Sequence, residues 1–235
     1  MARVLLGVTG SVAAILTPAL DAALRRAGPH AGGNSVRVLA TEPSLYFFDA
    51  AGLDPGEGPD EAPGRLYRDR DEWPGVRYRR DDPVLHIELR KWADVLVVAP
   101  LDANTLGKFA LGLSDNLLTC VFRAWDFSRP VILAPAMNTM MWRSPVTARH
   151  LGQILLDRAG LAALPDGWSL DSAPEHFARL APRIILIPPR SKRLACGDVG
   201  VGAMAEVRDI AEAVFSWSQD APRPEREEEA GAMLF

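Results

Sequence analysis

Two uninterrupted apolar runs, Val95–Ala99 and Val131–Ala134, each stop at a proline and pass into a short polar loop carrying an asparagine. The first loop is Pro100-Leu101-Asp102-Ala103-Asn104-Thr105 and the second is Pro135-Ala136-Met137-Asn138. Strands without polar alternation are covered on both faces, which is the situation of a central parallel sheet. Ligands of such sheets bind at the carboxyl ends of the strands. Two strand ends with similar loops therefore point to one shared crevice.

The remaining elements fit this frame. Val4–Val8 is a third apolar run, ending in Thr9-Gly10-Ser11 before a helical pattern over about 12–26. Strand, glycine turn and helix suit an anion at the helix start, although Ser11 would serve equally as a plain N-cap. The segment is neither G-x-G-x-x-G nor a P-loop. Ser35–Ala40 is a further strand. The Thr41 and Ser44 hydroxyls after it suit a flavin or ribityl chain, or simply helix capping. The segment 52–65 is a turn-rich loop, 66–82 is charged with room for one edge strand, and 106–123 has helical periodicity. A helix is expected over 142–160, a loop with a short helix over 161–183, a strand at Ile184–Ile187 and a closing helix over 207–217. At least five strands alternate with helices, so the expected fold is α/β: one Rossmann-like or flavodoxin-like parallel sheet with helices on both faces. The expected domain spans residues 1–217. The acidic tail, 218–235, is expected to be disordered.

Composition excludes several classes. A net charge of −4 gives no basic footprint for nucleic acid or anionic membrane. Two cysteines, Cys120 and Cys196, cannot build a disulfide framework or a cysteine-based zinc site, and no metal centre is expected. Nothing approaches 18 consecutive apolar residues and the first residues lack a signal-peptide layout, so a cytoplasmic protein is expected. Cys120, inside an apolar helical pattern, reads as a small core residue. Cys196 lies in the glycine-punctuated stretch 191–204 near Lys192 and Arg193, where its thiolate would be favoured. His86 is open to two readings, a structural histidine or a proton carrier.

Taken together, residues 86–94, 100–108, 115–120, 135–142 and 194–206 closely resemble the homo-oligomeric flavin-containing cysteine decarboxylases, in particular the branch acting on phosphopantothenoylcysteine. The resemblance implies FMN, with its phosphate at Gly10, Ser11 and Val12 and further contacts from Thr41, Ser44, Asp102, Ala103, Asn104, Thr105 and Ala136. It implies His86, Asn138 and Cys196 as catalytic residues, with Asn138, Met141, Arg193, Ala195 and Met204 touching the substrate. It also implies a homotrimer with the flavin near a subunit boundary.

The implied chemistry makes 4′-phosphopantetheine for coenzyme A biosynthesis. Oxidation of the cysteine CH₂–SH to a thioaldehyde places the carboxylate β to C=S. CO₂ then leaves an enethiolate, and returning the hydride with a proton from Cys196 completes the product. Two alternatives share these motifs. One is a flavin-bearing inhibitory subunit of a protein phosphatase, for which Glu225–Glu229 echoes the acidic tails of some fungal relatives. The other is a peptidyl-cysteine decarboxylase, against which the segment with Lys192, Arg193 and Cys196 argues.

Overall fold

The computed structural model describes residues 1–28, 33–53, 66–73, 75, 77, 79, 80, 82–193 and 199–220. Six parallel strands form one sheet: β1 (Arg3–Val8), β2 (Ser35–Ala40), β3 (Leu66–Arg68), β4 (Val95–Leu101), β5 (Val131–Pro135) and β6 (Ile184–Leu186), in the order β3-β2-β1-β4-β5-β6. The order reverses between β1 and β4, so their carboxyl ends diverge into the ligand crevice of such folds.

The register explains the unbroken apolar runs. Leu6 pairs with Val38 on one side and Val97 on the other, and Val97 pairs with Ile132. These residues face α1 (Thr17–Arg26) and α8 (Val207–Asp220) through Leu20, Leu24, Ile210 and Val214. Their neighbours Leu5, Leu39, Leu96, Val98 and Leu133 face the opposite layer. That layer comprises α2 (Leu85–Trp92), α3 (Ala103–Leu111), α4 (Leu117–Arg123), α6 (Pro145–Ala159) and α7 (Ala173–Leu180). Leu5, Leu6, Leu39 and Leu96 are completely buried, each stabilising the fold by about 1.5–3 kcal/mol.

Two expected helices are broken, each for a local reason. The pattern over 12–26 is a 3-10 turn at Val12–Leu16 followed by α1, because Pro18 fits only the first turn of an α-helix. The periodic stretch 106–123 is interrupted by Gly112, which takes a left-handed conformation (φ +68°) and ends α3; Asn116 and Thr119 then cap α4 reciprocally. The helix expected over 142–160 is present as α6, which begins at Pro145 with Ser144 as its N-cap and follows a separate short helix, α5 (Thr139–Trp142). Helix α2 has no counterpart in the sequence reading. Helix α8 continues through Asp220, beyond the expected boundary at 217.

The glycine-punctuated stretch 191–204 contributes a hairpin, β7 (Arg190–Arg193) and β8 (Val199–Ala203), paired antiparallel outside the main sheet. Among the described residues no helix is long and apolar enough to cross a membrane. Nor, among them, is any group of three or more His, Cys, Asp or Glu gathered as a metal site. Most of the 52–65 loop and the tail from 221 onward lie outside the described residues.

Candidate active site

The ends of β1 and β4 are clasped by Thr9. Its backbone N–H and hydroxyl both donate to the Pro100 carbonyl (3.2 and 2.8 Å), and the Asp102 N–H donates to its Oγ1 at 2.7 Å. Asp102 in turn accepts from the Thr105 N–H at 2.6 Å and caps α3. Gly10 sits where three strand-end loops converge. A Cβ there would lie 2.8 Å from Cβ of Pro43 and 3.4 Å from Oδ2 of Asp102. The Gly10, Ser11, Thr41–Ser44 and Asp102–Thr105 segments expected at a flavin are therefore brought together. Thr9 was not among the expected residues, although a hydroxyl at a strand end beside a glycine was its visible signal.

Within this group the side chains divide. Thr41, Ser44, Thr105 and Ala136 are buried. The Thr41 hydroxyl donates to the Val8 carbonyl (3.2 Å) and the Ser44 hydroxyl to the Thr41 carbonyl (2.6 Å), so both brace the loop. Gly10, Ser11, Asp102 and Ala103 are partly open, and Val12 and Asn104 are exposed. Ser11 caps the 3-10 turn through the Ala13 N–H (3.4 Å). Backbone donors and a hydroxyl at this turn, with no side chain on Gly10 to block approach, fit the phosphate end of a flavin nucleotide.

Asn138 follows β5 and caps α5, its Oδ1 accepting from the Met140 N–H at 2.8 Å. The hairpin is seated directly on this turn. The Met137 N–H donates to the Gly202 carbonyl at 2.9 Å, and a Cβ on Gly200 would lie 2.5 Å from the Thr139 hydroxyl. Met140 and Met141 are exposed, while Met137 is buried. Arg193 pairs with Val199 in the hairpin. Ala195 and Cys196 lie outside the described residues. Met204 is buried (3% exposed) with the α1 and α8 side chains. Its carbonyl accepts from Nε of Arg190 at 3.1 Å, so it anchors the end of the hairpin.

His86 occupies the first turn of α2. Its Nδ1 lies 2.5 Å from Oε1 of Glu72, and its backbone N–H donates to Oε2 of the same carboxylate at 3.0 Å. Glu72 is 2% exposed and ends the 3-10 turn that follows β3. It was missed in the sequence, where it stands in a charged stretch 14 residues upstream of His86. Strand order separates this pair from Asn138: the ends of β3 and β5 are four strand spacings apart, about 19 Å. Glu72 and Asn138 thus follow different strands at the same, carboxyl edge of the sheet.

Cys120 corrects an expectation. It is partly exposed rather than a core residue, and its Sγ lies 3.5 Å from the Ser114 carbonyl. The buried side chains of α4 are Leu117, Leu118, Thr119, Val121 and Phe122, and Cys120 lies off that face. Burial, and then the carboxylates of Glu72, Asp115 and Asp69, push its thiol pKa up.

A strand-end crevice fitted to a flavin phosphate, topped by a hairpin and an asparagine turn, defines the class. The chain belongs to the Flavoprotein family, which it matches over residues 1–219. Its relatives include phosphopantothenoylcysteine decarboxylase of Mus musculus, 45% identical over 208 residues (88% of this chain, 83% of the relative). Another relative, from Arabidopsis thaliana and also called phosphopantothenoylcysteine decarboxylase, is 48% identical over 204 residues (87% and 79%). Among solved structures, a cysteine-to-serine mutant of PPC decarboxylase complexed with pantothenoylaminoethenethiol superposes with a TM-score of 0.71 at 45% identity, covering 93% of this chain and 99% of that one. The FMN binding protein AtHal3 gives 0.68 at 46% identity, covering 94% and 99%.

Proposed function

We propose that this protein is an FMN-dependent carboxy-lyase that converts 4′-phospho-N-pantothenoylcysteine to 4′-phosphopantetheine in the cytoplasm, as a step of coenzyme A biosynthesis. The reading rests on the hairpin seated on the Asn138 turn beside the Gly10–Asp102 crevice, and it is supported by the likeness to relatives named for this activity.

FMN would be held through its phosphate by Gly10, Ser11 and Val12, and when bound it supplies a two-electron acceptor that returns what it takes. Asn138 holds the cysteinyl carboxylate in a wall formed with Met141 and shields it from water, which favours loss of CO₂. His86 handles the proton at the reacting thiol. Cys196 delivers a proton to the enethiolate carbon left by CO₂, and Arg193 and Ala195 close over the substrate. The enethiol carried by the cysteine-to-serine relative is the type of product expected when that last delivery fails.

In this reading a complete site is shared between two subunits, as the placement of Glu72 and Asn138 after different strands suggests. A homotrimer supplies His86 from one subunit and Asn138 with Cys196 from its neighbour. The exposed apolar side chains Val12, Ile15, Met140, Met141 and Val146 favour such an interface. The test is direct: purified yellow protein is mixed with phosphopantothenoylcysteine while CO₂ and thiol product are followed. Absence of turnover in flavin-loaded protein would overturn the reading.

A further inference from the structure

We propose that Glu72 is a positioning residue that sets the tautomer and orientation of His86. Both oxygens of one buried carboxylate are committed to one residue. Oε2 accepts from the His86 backbone N–H at 3.0 Å and Oε1 faces Nδ1 at 2.5 Å. The first contact fixes the start of α2 against the turn after β3. The second fixes the ring about its side-chain torsions. A carboxylate can only accept hydrogen bonds, so the imidazole nitrogen facing it carries the proton. Nε2 is thereby left as the nitrogen of the neutral ring that can take a proton from another group, and it is turned away from the carboxylate.

Glu72 is 3% exposed at its side chain and His86 20%, so the supporting contact is shielded while the ring keeps access to solvent. Asp94 likewise spends both oxygens on one residue, but there it ties the backbone and guanidinium of Arg3 at the start of β1. Only the Glu72 carboxylate, among the described residues, is spent on both the backbone and the ring of one histidine. The arrangement follows the general logic by which an orienting carboxylate holds a catalytic imidazole. The role matters for catalysis only if His86 is the active-site histidine proposed above.

The test uses flavin-loaded protein labelled with ¹⁵N-histidine. Long-range ¹H–¹⁵N correlation spectra report the tautomer of each of the four histidines, with His86 assigned by its loss in His86→Asn. The expected result is a neutral His86 protonated at Nδ1 in the native protein and a shift toward the Nε2–H form in Glu72→Gln, whose amide offers one acceptor instead of two. In parallel, Glu72→Gln should lower kcat at least about tenfold while KM changes less, and Glu72→Asp, which keeps the charge, should recover part of the loss.

A native His86 whose neutral ring carries its proton on Nε2 and not on Nδ1 overturns the proposal whatever the activity. So does a Glu72→Gln enzyme with unchanged kcat alongside an inactive His86→Asn enzyme. If native protein and His86→Asn decarboxylate alike, the reading of His86 fails instead, and the tautomer spectra still judge the Glu72 contact. Should Glu72→Gln not fold, the native spectrum and Glu72→Asp carry the decision.

Discussion

Gly202 and Met137 lie so close that no side chain can stand between them. A Cβ on Gly202 would be 2.1 Å from the Met137 carbonyl oxygen, while the Met137 N–H donates to the Gly202 carbonyl at 2.9 Å. Gly202 also has φ +153°, a conformation L side chains rarely adopt. The hairpin is thus keyed to the Asn138 turn through a glycine. Gly202→Ala should cost about 1–3 kcal/mol, seen in thermal melts. It should also open the hairpin to limited proteolysis more than an alanine at the exposed Gly52 does.

Asn138 combines a cap with the proposed grip on the substrate carboxylate, and two substitutions separate these roles. Asp caps as well as Asn, but its charge repels a carboxylate. Asn138→Asp should therefore melt within about 0.5 kcal/mol of the native protein and lose at least roughly a hundredfold in kcat/KM, the outcome expected when a group that grips the reacting carboxylate is replaced by one that repels it. Asn138→Ala should lose activity and also about 1 kcal/mol of stability. Activity retained in Asn138→Asp would remove the carboxylate grip.

The proposed two-subunit site makes a prediction about mixtures. His86→Asn and Asn138→Asp should each be inactive as homo-oligomers. Co-refolded or co-expressed, they should regain a fraction of native turnover, because some sites then join a native His86 to a native Asn138 turn. Light scattering should give three times the 25.5 kDa chain mass. Mixtures as inactive as the parents would argue for sites built within one chain.

Cys196→Ser should still release CO₂ but accumulate the oxidised enethiol in place of the thiol product, read by mass spectrometry. Full conversion by this variant would make Cys196 a structural residue.

The same variant leaves Cys120 as the sole thiol. Burial and three nearby carboxylates raise its pKa above the ordinary thiol value, so less thiolate is present at any given pH. Its alkylation by iodoacetamide should be slower than that of a free cysteine at pH 7.5 and should rise only at a more alkaline pH. Replacing Glu72 by Gln removes one of the raising charges and should speed labelling modestly.

Truncation at residue 220 tests the acidic tail. Decarboxylation should be unaffected, since every proposed site residue lies upstream. Phosphatase inhibition, if the protein has it, is assigned to the tail only if truncation abolishes it.

What the amino-acid order determined by itself is the local part. Val95–Ala99 and Val131–Ala134 are apolar on consecutive residues because both faces of the sheet are covered, and the prolines that follow them lie at the carboxyl ends of β4 and β5. Strand β4 continues one residue past Pro100, to Leu101, but burial and backbone chemistry act over a few residues there, so sheet, crevice and Asn138 loop were legible. Helix α2 was hidden because its eight residues are too few to show a period. Glu72 was hidden because a charged residue 14 positions from His86 looks like any other on a solvated loop; only the parallel placement of β3 beyond β2 carries it under α2. The same holds for Cys120, which lies beside the buried Leu117, Leu118, Val121 and Phe122 of α4 rather than among them. Contacts between distant segments depend on where the chain closes its loops. No local pattern records that closure, and so the partner of His86 and the seat of the hairpin were decided by the tertiary structure alone.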